Sequence, residues 1–457
     1  MKILSEKDPL DIFSEASKIL NTAVEHTLGP KGTNTAVHFQ NYYNIINDGK
    51  SIVEQLTSTD PEIAPAIETL KQSSFETNRK AGDGTTSTII IMDKLIQGAK
   101  QYLEENETKT RVDAARDILK TEEKLQELIL SKKTKIDNKL YKEVAEVSLG
   151  SSEYSEMISE AFNFLDGNGV PALVKSDLPG VEAEYIEGVN LTKTSVASSM
   201  FIDLLPSKEL KDVRVLTLFQ VVDRFEEMFQ LVKMLNQDKE KYTILLYNEL
   251  SPSVLENLLF NLSQDRSKII PICMKNYGKD MNNMLDEISK YVETDIIDGG
   301  SLKTTDISKI KVGFAGKAIV SQESLVLIRD EVPEYDYKYI SKKACIIRAG
   351  GATKIDMEDT YRRLEDAIYS LAGAIEHGAF IGGYGCPYAD LAEEIDDVGT
   401  PMFIIAALKY INSVYFEDAY NPNAIDSALV VSQVIKNSFV TAAQAITTNA
   451  IIYDNVR

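Results

Sequence analysis

The hydrophobic rhythm of the chain changes twice. From Pro9 to about Ile129 apolar residues recur at three- and four-residue spacing, as in Ile89, Ile90, Leu95 and Ile96, then Leu119, Leu125 and Leu128. That period places them along one side of successive helices, and residues 12–24 form the first clear amphipathic stretch. Residues 132–138 are a polar break. Beyond it, β-branched and aliphatic runs at 213–219, 242–247 and 268–273 predict strands, with helices over 225–235 and 254–262 between them. Strands alternating with helices predict a parallel sheet with crossover connections. Helical spacing returns over 357–379 and from 424 to about 445. Two helical blocks therefore flank an α/β insert and need each other to complete one core.

Composition narrows the function. A chain of 457 residues exceeds a single core and suggests about three domains. The net charge of −21, with no strong basic patch, argues against nucleic acid as a partner. No apolar run reaches the length of a membrane span, and residues 1–8 carry no signal-peptide pattern, so no membrane partner is expected. Cys273, Cys345 and Cys386 lie far apart without metal-ligand spacing, which fits a reducing cytoplasm. With only His26, His38 and His377 available, histidine metal sites and Ser-His triads are poor candidates. Carboxylates and hydroxyls must carry any chemistry.

Three short stretches supply them. Gly82-Asp83-Gly84-Thr85-Thr86-Ser87 combines glycines that admit an anion close to backbone N–H groups, hydroxyl donors, and a carboxylate able to hold a metal. Thr27-Leu28-Gly29-Pro30-Lys31-Gly32 is a second tight turn, and Ile46-Asn47-Asp48-Gly49 lies between the two. The nearest imitation of a Walker A loop, Gly313-Phe314-Ala315-Gly316-Lys317-Ala318, has the wrong spacing and no hydroxyl after its lysine. Any one of the three stretches alone would read as an ordinary hydroxyl-rich or Gly-Pro turn. Together they resemble the nucleotide site of the GroEL-type (group I) ring chaperonins, in a divergent and shortened form. The resemblance covers nearly the whole chain and is strongest over 27–32, 48–49, 81–87, 351–366 and 378–383. Asn47-Asp48-Gly49 leans towards group II, but 351–366 and the spacing of the helices in the α/β insert lean more clearly to group I.

The resemblance implies a multidomain α and α/β fold. Residues 1–129 and 377–457 would form a mostly helical equatorial domain, 130–186 and 345–376 a small intermediate domain, and 187–344 an inserted α/β apical domain that binds polypeptide. It implies that Gly29, Pro30 and Asp83, Gly84, Thr85, Thr86 and Ser87 wrap the phosphates of ATP, with Thr27, Leu28 and Asn47 also in the nucleotide site. Asp83 would hold Mg2+, and Thr27, Asn47 and Thr86 would lie near a monovalent cation, K+. Asp366, which by itself could be a helix-surface carboxylate pairing with Arg362 or Arg363, would orient or deprotonate the attacking water, assisted by Asp48. Gly382-Gly383 match two glycines of a three-glycine run, with Tyr384 in the third place. Asn421 replaces an aspartate that contacts the ribose, although it also suits a plain turn before a helix beginning near Ala424. Only 38 positions separate Gly383 from Asn421, fewer than in the family, and part of the adenine pocket and ring–ring contact comes from that segment there.

In the insert, Phe225, Met228, Leu231 and Leu235 form one apolar stripe, and Leu255, Leu258, Leu259 and Leu262 another. Most would be core in any α/β domain. The resemblance places Phe229, Val232, Leu255, Leu259 and Phe260 where the family exposes apolar side chains to non-native polypeptides. In a third segment Ser195 and Ser199 stand where the family has tyrosines, with Met200-Phe201 adjacent. A lidding co-chaperonin uses the same two helices in the family and is therefore allowed here, not required. The expected function is an ATP-dependent chaperone working as a homo-oligomeric ring, heptameric by family, as a single ring or as rings that join transiently. A holdase or scaffold uncoupled from nucleotide is the main alternative, and a small-molecule kinase or phosphohydrolase a third.

Overall fold

The computed structural model describes residues 2–29, 32–39, 42–149, 152–166, 169–191, 194–274, 279–298, 307–321, 325–331, 333–335, 337–382, 385–396, 399–414 and 423–454. Packing divides the chain into two compact units. One comprises residues 1–159, 177–180 and 350–457, and the other residues 160–176 and 181–349. The chain thus leaves a helical unit, builds an α/β unit, and returns. It is a multidomain α and α/β fold.

The helical unit is organised around helix Thr85–Glu105. Ile89, Ile90, Ile91, Met92, Leu95, Ile96 and Ala99 are all buried, so beyond a first turn of hydroxyl residues the helix is enclosed on every side. A helix of that kind is stable only when surrounded. Helices Pro9–Val24, Ala64–Ala81, Met402–Val414 and Ala428–Thr447 surround it. Residues from both ends of the chain share this core, as the split helical periodicity requires. Helix Lys354–His377, capped by the Thr353 hydroxyl on the Asp356 N–H at 3.1 Å, packs against Tyr141–Leu149 and Ala428–Thr447. Residues 425–427 depart from expectation. They form a short strand, paired antiparallel with Ala379–Ile381, and the helix starts only at Ala428. Two further two-stranded sheets join Lys2–Leu4 to Ile452–Asp454 and Thr35–Phe39 to Tyr42–Ile46.

The α/β unit holds a ten-stranded mixed sheet. At its centre Glu209–Val222, Thr243–Leu250 and Ile269–Met274 run parallel, joined by helices Phe225–Leu235 and Pro252–Ser263. These are the strands and helices read from the sequence; the first strand is longer at both ends, and the other two start one residue later and end three and one residues later. Antiparallel strands Gly313–Val320, Leu325–Ile328 and Val181–Leu191 extend one side. Met228, Leu231, Leu235, Val254, Leu258 and Leu262 are buried against the sheet.

One polar contact fixes the approach to strand Ser341–Ala349. Glu287, buried on helix Lys279–Val292, accepts the N–H groups of Lys338, Tyr339 and Ile340 at 2.7, 2.8 and 3.0 Å. Three donors on one carboxylate hold a segment that has no regular structure of its own. Replacing Glu287→Gln removes the charge and one acceptor position, at a cost of about 1.5–3 kcal/mol. Hydrogen exchange at those three amides is therefore expected to accelerate by about ten- to a hundred-fold relative to the parent, and unchanged protection would show that the contact does not hold the segment.

Candidate functional site

One cleft in the helical unit gathers Thr27, Leu28, Gly29, Asn47, Asp48, Asp83, Gly84, Thr85, Thr86, Ser87 and Asp366. These were the residues singled out from separate stretches of sequence. Pro30, Gly383 and Asn421 lie outside the described residues.

The packing of helix Thr85–Glu105 explains the floor of the cleft. Because its first turns are buried on all sides, its amino-terminal end and the loop before it are carried deep into the unit. Gly84 caps it at φ 94°, a left-handed conformation that disfavours any side chain. The first-turn N–H groups have no intrahelical acceptors, and three hydroxyls stand among them. Gly49 sits directly against the Thr86 hydroxyl, leaving no room for a β-carbon.

Asp48 caps helix Gly49–Gln55, accepting from the Lys50 and Ser51 N–H groups at 3.2 and 2.9 Å and from the Ser51 hydroxyl. It also pairs with Arg362 Nη1 at 3.0 Å. That contact ties helix Lys354–His377 to the loop, one turn before Asp366. Asp48 is thus held by four donors, whereas Asp366 projects into the cleft from the same long helix. The Asn47 amide donates to the Gly32 and Thr33 carbonyls at 3.0 and 3.2 Å, and the Thr27 hydroxyl donates to the Val24 carbonyl at 2.8 Å. Both therefore shape the first turn.

Asp83 accepts from the Gly84 N–H at 2.5 Å and the Ser148 hydroxyl at 3.0 Å. Burial raises its pKa against these bonds, and the charge of Asp48 adds to the rise. Burial, then Asp83 and Asp48, hold Asp366 well above the usual carboxylate range. The sequence reading missed Asp426, which also lines the cleft. Burial pushes its carboxyl up to about 7, against a hydrogen bond from the Gly385 N–H, and the charge of Asp83 contributes. Read as the first turn of a helix, Asp426 carried no signal; the strand pairing of 425–427 is what brings it here. Ser148 and Ser427 were missed for the same reason, being isolated polar residues at element ends.

The cleft has the marks of a ligand site. Thr85 Oγ1, Asp426 Oδ2 and Ser427 Oγ are buried and without a hydrogen-bond partner among the described residues. Buried polar atoms are rarely left so in a finished structure. Four carboxylates share the cleft with Lys50 and with Arg363, which is itself paired with Asp359 at 3.1 Å. Dense N–H and hydroxyl donors beside hard oxygen ligands fit a polyphosphate with its divalent cation.

In the other unit Phe229 and Phe260 are 59% and 53% exposed on two helices that touch, with Val232, Leu255 and Leu259 half-buried beside them. Met200 is exposed and Phe201 buried; the side chains of Ser195 and Ser199 lie outside the described residues.

The raised pKa of Asp366 has a consequence for stability. Its folded carboxyl keeps a proton that the unfolded chain releases near pH 4, so without ligands ionisation opposes folding as pH rises. Asp366→Asn removes that penalty. The variant is expected to melt above the parent at pH 7 in EDTA, with the difference shrinking towards pH 4; parallel melting curves at all pH values would contradict this.

Comparison with known proteins agrees with the geometry. The model of the TCP-1/cpn60 chaperonin family matches residues 20–252. Chaperonin 60 subunit beta 4, chloroplastic, of Arabidopsis thaliana is 25% identical over 406 residues, covering 81% of this chain. The chain spans 65% of the length of that relative. The chaperonin gp146 from the bacteriophage EL 2 (Pseudomonas aeruginosa), crystallised in the presence of ATP-BeFx, has the same fold at 15% identity. It covers 100% of both chains with a TM-score of 0.72 in one crystal form, and a second form gives 0.62. The chain belongs to the TCP-1/cpn60 chaperonin family and is of the group I, GroEL-like type.

Proposed function

We propose that this protein is an ATP-driven folding chaperone that works as a homo-oligomeric ring. The observation that carries the proposal is the meeting of Asp366 with Asp83 and Thr85–Ser87 in one cleft, on elements far apart in sequence. The N–H groups and hydroxyls of 84–87 bind the phosphates, and the 27–30 turn covers them. Asp83 would hold Mg2+, which when bound offsets the phosphate charge and orients its oxygens. Thr27, Asn47 and Thr86 would neighbour K+. Asp366, once positive charge bound beside Asp83 offsets its acidic neighbours and lets it ionise, would take the proton of the attacking water. Asp48 keeps the helix of Asp366 in place through Arg362, and so assists without needing a free oxygen. A base on a helix that can swing lets nucleotide binding gate hydrolysis.

The five-segment division into equatorial, intermediate and apical parts belongs to the same reading. Phe229, Val232, Leu255, Leu259 and Phe260 then form a greasy groove for non-native chains, each large side chain contributing about 1.5–3 kcal/mol when fully covered. Ring symmetry multiplies that by avidity. Self-association has support in the two-stranded sheets 2–4 with 452–454 and 35–39 with 42–46, whose outer edges lack partners among the described residues. Ile45 and Ile452, 59% and 62% exposed, lie on them. The heptameric count, the single or transiently paired ring and any co-chaperonin lid come from the family. Cys273, Cys345 and Cys386 form no disulfide among the described residues, which suits a reducing compartment such as the cytoplasm.

Asp366→Ala is expected to lower ATP turnover by about 10²- to 10⁴-fold, on particles whose measured mass is that of a ring. Rings without turnover in the parent would favour a holdase, and turnover by monomers a small-molecule kinase or phosphohydrolase. Separately, Phe229→Ser with Phe260→Ser should abolish capture of a chemically unfolded model protein while leaving turnover intact. Undiminished capture would place the polypeptide site elsewhere.

A further inference from the structure

Strand Ile425–Ser427 contributes to the cleft in a way that neither the phosphate turns nor Asp366 requires. Its pairing with Ala379–Ile381 sets Asp426 opposite Phe380 and fixes where its carboxyl lies. The Gly385 N–H bonds that carboxyl, while Oδ2 is buried and has no partner. Ser427, 2% exposed, and Thr85, 5% exposed, line the same cleft with unpartnered hydroxyl oxygens. Asp83 lines the same cleft, and its charge adds to the rise in the Asp426 carboxyl's proton affinity.

A water can satisfy a lone hydroxyl. Two carboxylates turned to one enclosed space need positive charge between them, or one must give up its own. Among the described residues no group of three acidic, histidine or cysteine side chains forms a metal cage. Any cation here must therefore take its remaining ligands from hydroxyls, water and the phosphates themselves, and would be held well only with nucleotide present. Carboxylate and hydroxyl oxygens suit a hard ion such as Mg2+ or Mn2+.

We propose that Asp426, through Oδ2, is a second protein carboxylate on the divalent cation that accompanies the nucleotide, shared with Asp83 and supported by the Ser427 hydroxyl. This rests on the nucleotide reading above and extends it to a residue outside the phosphate turns. It makes the second half of the chain a direct contributor to cation binding. It also explains why a carboxylate is tolerated beside a phosphate site: without a cation Asp426 repels nucleotide, and with one it attracts it.

The test uses the full-length chain, Mn2+ as the paramagnetic probe and ADP as the nucleotide. Free Mn2+ is followed by electron paramagnetic resonance at saturating ADP, and ADP binding is titrated separately in EDTA. Asp426→Asn keeps the size of the side chain and an acceptor for Gly385. It is expected to weaken Mn2+ binding about ten-fold or more, while ADP affinity in EDTA stays equal to the parent or improves. Unchanged Mn2+ affinity overturns the proposal. So does an ADP affinity that falls equally with Mn2+ and with EDTA, which would mark Asp426 as a contact to the nucleoside hydroxyls. If Asp426→Asn does not fold, Asp426→Ser gives the same readings with the same consequences. A parent that binds neither ADP nor Mn2+ overturns the nucleotide reading itself, a result distinct from a parent that binds both and a variant that behaves identically.

Discussion

The burial of helix Thr85–Glu105 is the constraint on which the rest of the helical unit depends. A segment with Ile89, Ile90, Ile91 and Met92 in succession has no face to offer water. Helices from both ends of the chain must close around it, which is why the α/β unit is an insertion and not a terminal appendage. The same burial carries the Gly82–Ser87 loop to the floor of a cleft. There, N–H groups and hydroxyls that would be trivially hydrated on a surface become scarce, directed donors. The core thus creates the site by deciding how deep one helix end must lie.

Depth has an electrostatic cost, and the cleft carries it in carboxylates. Asp83, Asp366 and Asp426 all have their pKa values raised by burial, each aggravated by Asp83 or Asp48. A protein selected for stability alone would not assemble four acids in one enclosed space. A cation-bearing polyphosphate inverts the balance, because the same charges that repel one another attract the cation. The mutual repulsion of these carboxylates and their attraction for a cation are two views of one charge distribution.

Much of this was legible in the sequence because it rests on local signals. The parallel strands and helices of the α/β unit follow from period and composition over single windows. The phosphate turns follow from residue types whose chemistry is visible in six positions. Leu255 and Leu259, in contrast, share a stripe with Leu258 and Leu262 in the sequence, and only packing separates half-buried from buried. Asp426 was illegible for a sharper reason. Ala424 to Ala445 is apolar at helical spacing, yet residues 425–427 are extended because Ala379–Ile381 lies beside them to accept a strand. Phe380, the partner of Asp426 and 46 positions away in sequence (426 − 380), decides that, and no local window contains it.

Arg362 shows how such long-range pairing becomes mechanism. Its position on helix Lys354–His377 is four residues, about one turn, before Asp366, so both project from neighbouring parts of one helix face. By meeting Asp48, it holds that face against the loop that leads into helix Gly49–Gln55. Asp48 can accept the guanidinium only because its other contacts are backbone N–H groups and a hydroxyl, which leave its negative charge unpaired. The ion pair and the cap therefore share one carboxylate. Any change at Asp48 that loosened Arg362 would also, through the helix they share, shift Asp366. Asp366 and the loop of Asp48 are in this way linked through a single charge, without any need for a longer path between them.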